Sequence, residues 1–239
     1  MRTVVRILFC TALSHCMWSN ALAVAPLPID DFEIEQEGVV TSDTSYHTLE
    51  QPALFGGRRS IGGFISPGPS RDHSLTISIT DGRLNAALTS PSIDAGYKGV
   101  FDVIWHHTNI NQAPGVGLDA SAYAGIEIEV AEMVAPSLLN LFVVSGPIGN
   151  RFGIYLDRLI NAPGKHLMLF EDFKPVAGGI AFDKSNIAFV NFGGVLNQGG
   201  SVAIESFQFV TPEPSAIASG FWALVAICAT ANWRRPIRG

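Results

Sequence analysis

Cysteine is scarce in this chain of 239 residues, and its placement says more than its number. Cys10, Cys16 and Cys228 all lie near the ends, so residues 24–210 hold none. That stretch must fold without disulfides, and it has no thiol nucleophile or Cys-ligated metal. About 180 residues can bury enough apolar surface to be stable without such staples. Basic charge is also short: 15 Lys and Arg against 21 Asp and Glu, a net charge of −6. Five arginines but a single acid belong to the ends, which leaves residues 24–210 at −10. A surface that acidic repels phosphate backbones, so nucleic acid is not expected as a partner. Metal-ligating patterns are missing as well. His106 and His107 are adjacent, so on a strand they face opposite sides of the sheet, and His47, His73 and His166 show no ligand spacing. No G-x-S-x-G elbow occurs. The glycine-rich stretch FGGRRSIGGF (55–64) lacks the order of a phosphate loop and reads as a turn between strands.

What the middle of the chain does have is a series of short β-patterned segments between Gly, Pro and Asn. SLTISIT (74–80) alternates Leu75, Ile77 and Ile79 against hydroxyls, and residues 124–133 alternate Ile126, Ile128 and Val130 against Glu127 and Glu129. LLNLFVVSG (138–146) is continuously apolar, the pattern of a strand covered on both faces. Residues 99–107, 151–159, 165–173, 185–194 and 200–210 complete eight or so strands with no long amphipathic helix. The expectation is an all-β fold, an antiparallel β-sandwich, in one domain over residues 24–210.

The ends are built differently. Residues 1–23 carry Arg2 and Arg6, then a mostly apolar run over 7–18, then small residues at Ala21 and Ala23. This is the layout of a secretory signal cut after Ala23 by signal peptidase. Residues 216–233 contain no charge over 18 positions, about 27 Å as a helix and close to the thickness of a hydrocarbon core. Arg234, Arg235 and Arg238 follow and should stay on the cytoplasmic side. Both ends therefore place the body outside the cytoplasm. Immediately before the apolar run stands Pro212-Glu213-Pro214. Residues 211–239, with this tripeptide, an apolar helix and a basic end, resemble the PEP-CTERM protein-sorting domain of Gram-negative-type bacteria, although Thr211 stands where Val is commoner. The resemblance implies a transient inner-membrane anchor, processing by an exosortase-type enzyme near Pro-Glu-Pro, and delivery to the cell surface or the exopolysaccharide matrix of a biofilm. Two prolines hold such a site extended, as a substrate at the membrane surface would be.

The body resembles a second family. The succession LDASAYAGIEIEVA (118–131), NRFGIYL, KHLMLFEDFKP (165–175), FDKSNIAFVNFGG (182–194) and SVAIESFQFV (201–210), with IDDFE (29–33) as opening strand, is similar to the galactose-binding-like jelly rolls of carbohydrate-binding modules. The resemblance implies a jelly roll and a structural calcium held by acids of the first and last strands, here Asp31, Glu33 and Glu205. The alternative for these acids is an exposed edge, and no cofactor is otherwise required. Sugar binding calls for an aromatic platform flanked by hydrogen-bonding groups. Trp105 is the single tryptophan outside the ends and shares a strand parity with His107, while Arg151 and Tyr155 share one on another strand. A lone tryptophan in a sandwich is otherwise a core residue. Glu127 and Glu129 face the same way and form either a solvated face or a carboxylate pair for glycoside hydrolysis.

Three functions are compatible with these residues. The first is a non-catalytic, surface-destined module that interacts with extracellular polysaccharide, and the second is a structural or adhesive surface protein without a glycan ligand. The third, a secreted glycan hydrolase, lacks a recognisable nucleophile and base, so the chain is read as a non-enzyme.

Overall fold

Alternating side chains become the two faces of a sheet, and stacking two such sheets buries one face of each. The computed structural model describes residues 24–40, 49–53, 57–66, 73–89, 96–106, 117–146, 151–176 and 181–211. Among them run β1 (Leu27–Asp30), β2 (Gln36–Val40), β3 (Leu49–Ala53), β4 (Gly57–Ser66), β5 (Ser74–Thr80), β6 (Arg83–Thr89) and β7 (Lys98–His106). These are followed by β8 (Gly125–Val134), β9 (Ser137–Ser145), β10 (Phe152–Ile160), β11 (Gly164–Leu169), β12 (Lys174–Pro175), β13 (Ile187–Asn197) and β14 (Ser201–Val210). Residues Pro26–Val210 form one compact unit. Ala21, Ala23, Pro212, Glu213, Pro214, Arg234 and Arg235 lie outside the described residues. Among those described, no helix is long and apolar enough to cross a membrane.

The first sheet has the order β11-β8-β14-β6-β5-β2, with β1 on β14, and the second has the order β12-β10-β9-β13-β7-β4-β3. Every pairing is antiparallel. The strands β6, β7, β8, β9, β10, β11, β13 and β14 give β11-β8-β14-β6 in one layer and β10-β9-β13-β7 in the other. That is the double Greek key of a jelly roll. Of the remaining strands, β5 and β2 widen it beside β6, β4 and β3 widen it beside β7, β12 pairs with β10, and β1 pairs with β14.

Local chemistry explains the corners. Asp81 and Gly82 both have positive φ (53° and 70°), the two-residue turn that matches the twist of the β5–β6 hairpin. In LDASAY the Asp119 carboxylate accepts from the Ser121 amide at 2.9 Å, closing a turn that buries Ala120 and Tyr123. Hydrogen bonds from the Ser121 side chain and then its backbone hold the Asp119 carboxyl below its ordinary value. The stretch read as a turn, FGGRRSIGGF, is instead mostly the ten-residue strand β4. Its glycines permit close layering: a Cβ on Gly63 would fall 2.6 Å from the Val100 carbonyl oxygen and 2.8 Å from Leu75.

Between the layers, Phe207 of the first sheet meets Trp105 and Phe192 of the second at centroid distances of 4.8 and 5.4 Å. Tyr123, Phe170, Phe173, Phe182 and Phe209 close one end through ring contacts of 5.6 to 6.3 Å. Charge is also present inside. Arg59 is fully buried and donates from Nη1 to Asp30 Oδ2 at 2.7 Å, from Nε to Gln36 Oε1 at 2.9 Å, and from Nη2 to the Ile34 carbonyl. The Asp30 carboxylate also accepts from the Trp105 indole N–H and, at 2.8 Å, from the Phe32 amide. Phe32 is buried with a positive φ of 54°, a conformation this Asp30 bond helps to hold.

Candidate functional site

This network corrects two expectations. Trp105 points into the core with 0% exposure, so it offers no sugar platform. Its parity is the inward one on β7, while His106 takes the outward one, and its expected companion His107 lies outside the described residues. The calcium triad does not assemble either. Among the described residues no three acidic or His groups are gathered as metal ligands. Asp31 and Glu33 are exposed, and Glu205 turns toward Arg83 at 3.9 Å. The first strand does lie on the last, but its bracing carboxylate is Asp30 and its cation is the guanidinium of Arg59.

On the outer face of the first sheet, charges answer one another. Lys165 Nζ lies 3.1 Å from Glu127 and 3.9 Å from Glu129, Gln208 donates to Glu127, and Ser206 donates to Glu129. Arg83 reaches Glu132 and Glu205 beside a shallow hollow over the β5–β6 hairpin. The two glutamates considered for hydrolysis thus belong to a salt-bridged, solvated face.

The outer face of the second sheet is different, and the register arranges it in rows. Tyr155, Phe142, Asn191, Ile104 and Ser60 stand side by side on β10, β9, β13, β7 and β4. Two residues along, the row reads Gly153, Val144, Phe189, His106, Arg58; on the other side it reads Asp157, Asn140, Gly193, Asp102, Gly62. Beyond that lies an apolar row: Leu159, Leu138, Val195, Val100 and Phe64. Leu159, Leu138 and Phe64 are 58%, 38% and 41% exposed, a line of apolar side chains no described element covers. The strand β9 is therefore not covered on both faces, as its continuous apolar run suggested. Its Leu139, Leu141 and Val143 enter the core, and Leu138 and Phe142 look outward.

Aromatic groups dominate one end of this face. Phe189 meets Phe142 at 5.9 Å and His106 at 5.8 Å, and the Arg151 guanidinium lies over the Phe189 ring at 5.7 Å. A Cβ on Gly153 would sit 2.6 Å from the Phe142 ring, so that ring covers the space between Arg151 and Tyr155. Asn191 Oδ1 and Arg151 Nε are buried here with no hydrogen-bond partner among the described residues. Native folds rarely leave such atoms unmatched, because each costs about 1–3 kcal/mol unless something else binds it.

No family model matches the chain, and none of the curated proteins matches it. Among solved structures, similar folds include the family 11 carbohydrate-binding module of the cellulosomal cellulase Lic26A-Cel5E of Clostridium thermocellum. It is 14% identical, with a TM-score of 0.43, over 80% of this chain and 96% of that one. The Clostridium thermocellum family 11 module in complex with a β-1,3-1,4-mixed-linked tetrasaccharide is 13% identical, with a TM-score of 0.42, over 79% and 97% of the two chains. The family 11 xylanase from Neocallimastix patriciarum is 10% identical, with a TM-score of 0.40, over 74% and 100%. The jelly-roll assignment rests on this chain's own strand order.

Of the residues singled out in the sequence, Tyr155 and Arg151 stand together on the outward side of the second sheet. Phe142, Phe189, Asn191, His106 and Asp102 were missed. Each sits in a run whose inner and outer positions are both apolar or mixed, so alternation alone does not mark it. The pair Asn191 and Gly193, small or polar amid the apolar run of β13, was the available signal.

Proposed function

We propose that residues 24–210 are a non-catalytic glycan-binding module that works outside the cytoplasm, with the outer face of the second sheet as its binding surface. The observation that carries this reading is the row of half-buried aromatic side chains Tyr155 and Phe142, with Phe189 in the next row, on an outer face that no described element covers. Aromatic rings of this kind receive the apolar faces of pyranose rings, with polar groups such as Asn191 beside them. Export and sorting are read from the ends: a signal peptide over 1–23, and over 211–239 a PEP-CTERM-like segment processed by an exosortase-type enzyme.

The binding reading is tested by affinity electrophoresis of the purified protein in gels containing exopolysaccharide from its own host. Retardation is expected, with Tyr155→Ala weakening it by about tenfold, the size of one lost stacking contact. No retardation by that polymer would remove the reading. Sorting is tested by replacing Pro212, Glu213 and Pro214 with alanine. A full-length species should then accumulate in the inner membrane, and identical size and fractionation in both proteins would count against the signal. A second reading, an adhesive protein that docks another polypeptide, is favoured by the exposed row Leu159, Leu138 and Phe64. A charge placed at Leu159 separates the two, because it should disturb protein docking and leave glycan retardation intact.

A further inference from the structure

Charged groups on the outer face of the second sheet are unevenly placed. The acids Asp102 and Asp157 share one row with Asn140, Lys174 stands beside Tyr155 in the next row, Lys98 lies beyond the apolar row, and Arg58 lies two rows from the acids on the other side. His106 and then Arg58 follow Phe189 on one side of its row, and Arg151, just ahead of β10, extends its guanidinium over the same ring. This basic end belongs to a stretch with twice as many acidic as basic residues. Among the described residues no carboxylate pairs with Arg151, and its Nε is buried without a partner. The contrast with Arg59 is direct, since that guanidinium donates to three oxygens inside the fold.

Resting on the glycan-binding reading, we propose that the ligand is an acidic polysaccharide of the polyuronate class, and that Arg151 receives its carboxylate. Adjacent rows on one face are about 7 Å apart, two residues of strand. A pyranose seated on Tyr155 and Phe142 therefore holds its ring substituent toward the guanidinium, across the aromatic surface that covers Gly153. A guanidinium fork matches the two oxygens of a carboxylate, and the bond is strengthened where water is partly excluded. Asn191 stands in the same row as Tyr155 and Phe142 and adds a polar side chain beside them. Asp157, exposed in the row on the far side, disfavours a carboxylate beside it.

The experiment is calorimetric titration of the purified full chain with sodium polygalacturonate and with the same polymer methyl-esterified, which keeps the backbone and removes the charge. The acid form should bind, weaken as salt rises, and bind about tenfold tighter than the ester, the worth of one charge-assisted hydrogen bond. Arg151→Gln should erase that preference, bringing the affinities for the acid and the ester forms together. Equal affinity for acid and ester would overturn the proposal whatever the variant does, and would leave glycan binding standing. Binding of neither polymer, together with no retardation by the host's exopolysaccharide, would overturn both readings.

Discussion

The two outer faces of this sandwich are made of the same antiparallel ladders and differ in how far their side chains satisfy one another. On the first sheet, Lys165 stands between Glu127 and Glu129, and Arg83 between Glu132 and Glu205. On the second sheet, Arg151 and Asn191 each keep a buried atom that no described residue matches, among aromatic rings. A face that completes its own hydrogen bonds gains little from a ligand, because each new contact must first break an old one. A face that leaves them incomplete carries a cost that a ligand's hydroxyl or carboxylate can remove. The difference is thus one of chemistry on a common scaffold, and strand order alone would not reveal it.

Three substitutions probe the contrast, beginning with a charge the fold itself requires. Arg59→Met leaves the Asp30 carboxylate buried without its cation, and about 3–5 kcal/mol of stability should be lost in urea unfolding. A loss under 1 kcal/mol would mean that the Arg59 network does not brace the first strand. Gly153→Val pushes a side chain into the Phe142 ring. It should cost about 1–3 kcal/mol and abolish glycan retardation, since it breaks the platform from beneath. Retained binding would move the site off this row. Lys165→Met removes the cation between Glu127 and Glu129 on the other face, where its side chain is 59% exposed. Stability should change by at most about 1 kcal/mol and binding not at all. A binding defect there would erase the distinction between the faces.

Much of the architecture was legible in the chain. SLTISIT became β5 with Leu75, Ile77 and Ile79 buried, and GIEIEV became the start of β8 with its isoleucines inside. The phrases taken as a jelly-roll succession correspond to β8, β10, β11, β13 and β14. The glycine-rich run was misread because glycine signals a turn as readily as it signals tight layering, and only the Val100 carbonyl and Leu75 above Gly63 decide between them. The sequence reading assigned Asp31, with Glu33 and Glu205, to a calcium ion, and it had no signal for the buried ion pair of Asp30 with Arg59. Nothing in IDDFE singles out Asp30 until Arg59, 29 positions away, is brought beside it.

By itself, the sequence determined the all-β character, the antiparallel strands and the segregation of apolar runs and arginines to the two ends, because these depend on local periodicity and composition. Which parity of each strand looks outward was decided by tertiary structure. Period-two alternation is symmetric, so where both sets are partly apolar, as in residues 99–107 and 138–146, nothing local separates them. Packing of Phe207 against Trp105 and Phe192 chose the inner set. What was left over, Tyr155, Phe142, Phe189 and Asn191 drawn from three strands into neighbouring rows, became the candidate site.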